Sequence, residues 1–128
     1  MSSVIGVGVD LCAVSRMERA CEREHFMERV FTEGERAYLC ARGKGRAQSA
    51  AAMFAAKEAV AKALGTGFSC GVLPGQIEVT HGESGAPGVT MHGAARARLC
   101  ELGGARVMLS LSHEGELAAA FAVIVSGD

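Results

Sequence analysis

Tryptophan is absent from this chain, and aromatic residues of every kind make up only 5% of its 128 positions. With five Phe and one Tyr, a core built around large rings is excluded. The interior must come from Val, Leu, Ile, Met and many Ala. Such residues let elements approach closely but bury little area each, so part of the apolar surface is expected to be buried between subunits. Neither sign of charge dominates: 13 Lys and Arg stand against 14 Asp and Glu, for a net of −1. That balance excludes a general nucleic-acid coat or an acidic tail, and no nucleic-acid partner is expected. No apolar run is long enough and free enough of charge and Gly to cross a membrane. The start of the chain has no charged segment followed by an apolar stretch of signal length. The five cysteines, Cys12, Cys21, Cys40, Cys70 and Cys100, contain no C-x-x-C pair, and their number is odd. Reduced, mostly buried thiols in a cytoplasmic protein are the expectation. The missing ligand spacing argues against zinc. The length suits one domain, residues 1–128, with one core.

What is present divides into short segments. Residues 4–9, VIGVGV, alternate β-branched residues with Gly and stop at Asp10. They read as a strand that is buried on both faces or packed closely against another backbone. Residues 13–24 read as a helix with Ala13, Val14, Met17, Ala20 and Cys21 on its apolar face. Arg16, Arg19 and Arg23 fall together on another face. Thr32 and Glu35 have capping-box spacing, which predicts a short helix to about Cys40. A basic loop, Arg42 to Arg46, follows. A long helix is expected from Ala47 to about Leu64, closed by Gly65. Residues 65–75 form a Gly-rich loop, 76–81 and 88–91 a strand pair, and 93–102 an amphipathic helix. Residues 106–112 and 117–125 complete a final hairpin around Glu114, Gly115 and Glu116. The order predicts an α+β domain with a mostly antiparallel sheet packed against the long central helix.

Only three charges, Lys57, Glu58 and Lys62, interrupt the apolar run from Ala47 to Leu64. A buried unpaired charge is very costly, so each needs a partner. Glu58 and Lys62 share one side of the helix, four residues apart, and spacing alone predicts an ordinary ion pair. Asp10, ending an apolar strand, either caps the helix after it or is presented to a ligand. Two carboxylates with lysines nearby suit a hard cation and a polyphosphate. Mg²⁺ takes few carboxylates and fills its octahedron with water and substrate oxygens.

Three motifs then stand in order along the chain. They are Val7-Gly-Val-Asp10-Leu, Phe54-Ala-Ala-Lys-Glu58-Ala-Val-Ala-Lys62-Ala-Leu-Gly-Thr-Gly67, and Leu109-Ser-Leu-Ser-His113. Together with Arg29-Val-Phe-Thr-Glu33, Ile77-Glu-Val and Gly85-Ala-Pro87, they resemble the holo-acyl-carrier-protein synthase family. That family comprises the small homotrimeric 4′-phosphopantetheinyl transferases, and the resemblance spans nearly the whole chain. It implies transfer of the phosphopantetheine arm of coenzyme A to a serine of an acyl carrier protein, releasing adenosine 3′,5′-bisphosphate.

The resemblance also implies roles. Asp10 and Glu58 match the Mg²⁺ ligands, with Glu58 the base and Lys62 stabilising the departing bisphosphate. Lys57 either reaches a phosphate or pairs with Asp10 or a C-terminal carbonyl. Gly65 and Gly67 let backbone approach coenzyme A, and Pro87 and His113 are candidates for contact with it. The Arg42 to Arg46 loop is either a solvated basic turn or meets a phosphate, with Lys44 and Arg46 as its candidates for coenzyme A. Arg16, Arg19 and Arg23 suit an acidic carrier protein. Sites between the subunits of a homotrimer would account for the small-residue composition. Three departures stand out: Met53 replaces a usual arginine, Ala86 a usual lysine or arginine, and Glu114 a commoner Thr. Two competing readings use the same residues: a Mg²⁺-dependent nucleotide or pyrophosphate hydrolase, and a non-catalytic trimer that binds carrier proteins.

Overall fold

The computed structural model describes residues 2–127, so the two ends of the expected domain, residues 1 and 128, lie outside the described residues. Strand β1 (Val4–Ala13) leads into helices α1 (Val14–Ala20), α2 (Glu24–Val30) and α3 (Glu33–Ala41). A 3₁₀ turn over Gly43–Gly45 precedes the long helix α4 (Arg46–Ala63). Strands β2 (Ile77–His81) and β3 (Pro87–Met91), helix α5 (Gly93–Glu101), and strands β4 (Gly104–Glu114) and β5 (Leu117–Ser126) follow. β1, β5 and β4 form an antiparallel sheet in that order, and β2 and β3 form a separate antiparallel pair. The expected α+β architecture is therefore observed.

The three-stranded sheet packs one face on α4. A methyl group on Gly6 or Gly8 would collide with the backbone carbonyl of Ala63 or Ala59. The glycines of the first strand thus serve close backbone approach, and they set the strand directly on the helix. The facing residues Ala118, Ala120, Ala122 and Ile124 of β5 are buried. The other face is open: Val7, Val9, Leu11, Phe121 and Met108 are all exposed. Burial on both faces of β1, one of the two readings of its sequence, does not occur in the single chain.

Two further expectations are corrected. The predicted helix over 13–24 stops at Ala20, and Arg23 takes an extended conformation (φ −97°, ψ 105°) before α2 begins. The break lets Phe26 pack against Phe31 and Phe54, at ring separations of 6.4 and 6.2 Å. Phe26, Met27 and Val30 had carried the helical spacing of α2 in plain sight. Among the cysteines only Cys12 and Cys21 are buried; Cys40, Cys70 and Cys100 are exposed, and all five are free. The exposed three sit on the solvent side of α3, in the Gly-rich loop and on α5, where no core face passes. No helix among the described residues is long and apolar enough to cross a membrane.

The capping box at Thr32 forms as expected, and it extends into the core. Glu35 Oε1 accepts from the backbone N–H of Thr32 at 2.8 Å and from Lys57 Nζ at 2.7 Å. Glu35 Oε2 accepts from the N–H of Val79 at 2.7 Å. Lys57 also donates to the carbonyls of Pro74 (2.9 Å) and Ile77 (2.7 Å). Its three protons are thereby used, and both side chains of the pair are fully buried. Burial pushes the Lys57 ammonium below its usual range, and the Glu35 carboxylate opposes that shift. The expectation that Lys57 contacts coenzyme A is corrected: an ammonium saturated inside the core cannot reach a phosphate. The pair ties α3, α4 and the start of β2 together. Removing one partner strands a buried charge, which costs about 3–5 kcal/mol. Lys57→Met is therefore expected to lower unfolding free energy by about that amount in urea titrations, with little change in KM for coenzyme A among molecules that remain folded.

Candidate active site

Asp10 lies on the face of β1 that meets α4, two residues beyond Gly8. The helix periodicity places Glu58 and Lys62 on the flank of α4 that runs beside it. Lys62 Nζ donates to Asp10 Oδ1 at 2.9 Å and to the carbonyl of Val9 at 3.1 Å. The Lys62 side chain is 53% exposed and that of Asp10 14% exposed, so the cation reaches down from solvent onto a largely covered carboxylate. Glu58 is half-buried within hydrogen-bonding reach of Asp10. Desolvation first, then the adjoining Asp10, pushes its carboxyl up to about 7, against the pull of Arg16 and Lys62. The helical pair Glu58–Lys62 predicted from spacing alone is replaced by a pair between strand and helix. The resemblance had grouped Asp10, Glu58 and Lys62, and the structure brings those three together.

Two adjoining carboxylates, one of them raised to about 7 by desolvation and by the other, form a donor set that a divalent cation would satisfy. Among the described residues no group of three or more acidic, His or Cys side chains is gathered to hold a metal. A pair fits Mg²⁺, which takes one or two carboxylates and completes its shell with water and phosphate oxygens.

Other candidates lie elsewhere. Ser49 and Glu58 are nine residues apart on α4, which puts them about 180° apart around the helix axis. On the Ser49 flank is a cavity of about 270 Å³, lined by residues that include Ser49, Met53, Tyr38, His81, Pro87 and His113. Pro87 and His113 thus share a cavity, on the far side of α4 from the carboxylates. Gly65 (φ 81°) ends α4 by donating its N–H to the carbonyl of Lys62, and Gly67 (φ 58°) donates to Ala61. Gly65 also borders a separate cavity of about 470 Å³ with Thr66, Cys70 and Arg98. In the basic loop, Lys44 is exposed, and Arg46 donates to the carbonyl of Cys21 at 3.4 Å. The basic residue that lines the 270 Å³ cavity is Arg42. The sequence had offered the whole loop to a phosphate but singled out Lys44 and Arg46 rather than Arg42, because a cluster of charges carries no direction. Tyr38 and His81, whose rings stack at 4.0 Å, were missed; they lie far apart in the chain, on α3 and β2, with no shared motif.

The three arginines do not form one helical strip, because Arg23 lies beyond the end of α1. Packing restores two of them to one patch. The Arg16 guanidinium sits 5.1 Å from the Phe54 ring and that of Arg23 5.5 Å from the Phe26 ring. Those two rings touch each other. Arg19 is exposed in the last turn of α1.

The Glu58 shift has a sign that can be measured. Its folded pKa lies above its unfolded value, so its share of stability is present below about 4.5 and is lost as pH rises through about 7. In metal-free buffer, Glu58→Gln is expected to melt several degrees higher relative to the parent at pH 8 than at pH 5. Thermal denaturation of both proteins across that range checks it.

Comparison with known proteins places the chain in a family. A family model described as the 4′-phosphopantetheinyl transferase superfamily matches residues 6–122. The chain is 50% identical over 127 residues to a holo-[acyl-carrier-protein] synthase of Methylobacterium sp. (strain 4-46), covering 94% of this chain and 93% of that protein. It is 45% identical to one from Halorhodospira halophila (strain DSM 244 / SL1), covering 97% and 99%. The crystal structure of the synthase from Neisseria meningitidis superposes with a TM-score of 0.84 at 34% identity, covering 95% of this chain and 98% of that one. The synthase from Bacillus anthracis str. Ames, in complex with CoA (3′,5′-ADP), gives 0.81 at 34% identity, covering 97% and 98%. With the family's motifs in order, its fold reproduced and Asp10, Glu58 and Lys62 in one place, the chain belongs to the 4′-phosphopantetheinyl transferase superfamily.

Proposed function

We propose that this protein is a holo-[acyl-carrier-protein] synthase. It moves the 4′-phosphopantetheine arm of coenzyme A onto a serine of an apo acyl carrier protein and releases adenosine 3′,5′-bisphosphate. The observation that carries the reading is the juxtaposition of the Asp10 and Glu58 carboxylates with the Lys62 ammonium. Asp10 and Glu58 are the residues that would hold Mg²⁺. When bound, Mg²⁺ would neutralise and polarise the diphosphate of coenzyme A.

The chain's own residues do the rest. The serine oxygen forms a bond to the β-phosphorus, and the bond from that phosphorus to the bridging oxygen breaks. Glu58 holds the proton given up by the serine hydroxyl. Lys62 turns from Asp10 to the 5′-phosphate of the departing bisphosphate, a motion open to a side chain that is half in solvent. Catalysis of this kind rests on position and charge.

The separation of the two flanks supports a shared site. β1, with Asp10, and β4, with His113, are the two edges of the sheet. A ligand touching both sets of residues is best served by two chains, with the β1 edge of one meeting the β4 edge of the next. Such a contact is head-to-tail, the kind that builds a ring when its rotation closes. The open sheet face with Val7, Val9, Leu11 and Phe121 supplies apolar surface for it. A homotrimer is the expected assembly, located in the cytoplasm with its substrates.

Asp10→Ala and Glu58→Gln are each expected to reduce transfer by at least about a hundredfold while leaving the assembly unchanged. A mass spectrum of the apo carrier incubated with coenzyme A, Mg²⁺ and each variant reads the transfer, and light scattering reads the trimer. Near-normal turnover by either variant would remove the carboxylate assignment, and an active monomer would remove the shared site.

Carrier proteins as a class are acidic around their serine, and the Arg16–Arg23 patch is basic. Arg16→Glu and Arg23→Glu are expected to raise KM for the carrier about tenfold or more while leaving KM for coenzyme A near its parent value. Steady-state kinetics with each substrate varied, at low and high salt, distinguishes this from a merely solvated surface.

A further inference from the structure

The gap between the two sheets is a groove of about 720 Å³, bounded by β3, α5 and the first half of β4. β3 pairs only with β2 and β4 only with β5, so no strand closes it. Its floor is apolar: Val89, Met91, Leu99, Val107 and Leu109 line it and pack against the core while remaining partly exposed. Gly104 lets that floor close, since a methyl group there would collide with Leu99 Cδ1. Met108, half exposed, carries the apolar surface to the rim.

Two exposed arginines, Arg96 from α5 and Arg106 from β4, line the groove as well, and no carboxylate does. Among the described residues neither makes an ion pair. Arg98, on the opposite side of α5, is the contrast: it donates to the Leu64 carbonyl at 3.0 Å and pairs with Glu101 at 3.4 Å. An apolar floor with unpaired cations at its edge is complementary to a molecule with an apolar body and an anionic head. The volume is that of a small-ligand pocket. A carboxylate meets a guanidinium through two parallel hydrogen bonds, and it leaves the length of the groove to a chain.

We propose that this groove binds a fatty acid, with its chain along Val89, Met91, Leu99 and Leu109 and its carboxylate at Arg96 and Arg106. None of these residues belongs to the candidate active site, so the inference stands apart from the synthase reading. Cys100 is exposed and lines the groove, where a bound chain covers it; the exposed Cys40 and Cys70 lie outside it.

Isothermal titration calorimetry of the full chain with decanoate, 1-decanol and butanoate, each below the concentration at which it aggregates, tests the proposal. The parent protein is compared with a double variant, Arg96→Gln with Arg106→Gln. Saturable binding of decanoate to the parent is expected, about tenfold tighter than 1-decanol, which lacks the charge. It is expected to be at least about a hundredfold tighter than butanoate, which lacks most of the chain. The double variant, altered only at exposed positions, binds decanoate about tenfold more weakly and 1-decanol as the parent does. In the parent, decanoate slows alkylation of Cys100 by a maleimide, read by peptide mass spectrometry, while Cys40 and Cys70 react at their unliganded rates. The assignment is overturned by an absence of saturable binding, by equal affinity for decanoate and 1-decanol, by a double variant that binds decanoate like the parent, or by protection of Cys70 in place of Cys100.

Discussion

Everything at the proposed active site depends on how closely β1 lies on α4. Gly6 and Gly8 let the strand press against the carbonyls of Ala63 and Ala59, where any side chain would collide. The small residues opposite, Ala55, Ala59 and Ala63, are buried along the same line. Two elements held at that spacing by their backbones leave little freedom to slide. Asp10, two residues after Gly8, therefore stands beside the next turn of the helix, where Glu58 waits. Contacts through long side chains would leave more slack. The shortage of aromatic residues and the abundance of Ala follow from this requirement.

The same helix places three charges in three environments. Successive residues turn by about 100°, so Lys57 and Glu58 cannot share a surroundings even as neighbours. Lys57 points into the core, where Glu35 and two carbonyls saturate it. Glu58 sits on the flank, dry enough for its proton to be held and open enough to exchange it. Lys62, one turn on from Glu58, is out in solvent and bends back to Asp10. A buried pair seldom adds net stability over apolar residues, because desolvation offsets the attraction. What Glu35 and Lys57 contribute is placement. Glu35 ends the capping box of α3, bonds the backbone of Val79 and fixes the residue next to Glu58.

Much of this could be read from the sequence, for reasons that differ by residue. The α4 span and its Gly65 terminus followed from an apolar run and a cap, both local signals. The Thr32 box was local too. Asp10, Glu58 and Lys62 could be grouped through the motifs they sit in. Arg42, Tyr38 and His81 could not, because each lies outside those motifs and they meet only in the folded chain. Lys57 stayed ambiguous because its partner, Glu35, is 22 residues away and was already explained as a cap. The α1–α2 break was missed because helical spacing continues across Arg23; the turn is imposed by Phe26 reaching Phe31 and Phe54.

The departures from the family pattern acquire a physical account at one position. The charge in a cavity need not come from a particular element. Met53 on α4 offers none, yet the cavity it lines receives Arg42 from the end of α3. Moving the charge from a helix wall to a helix end changes what must support it. On α4 an arginine would be braced by packing on both sides, since Met53 itself is buried. At the C-terminus of α3 the side chain is exposed and needs Ser49 and the Tyr38 ring as braces. The aromatic pair behind Arg42 is then no accident of a core short of rings. It spends the single Tyr of the chain at the rim of a cavity, where a flat surface can orient a flat cation. Nothing in the structure explains Glu114, or Ala86, which is exposed in the β2–β3 turn. Arg42 is thus the one permanent cation among the residues that line that cavity.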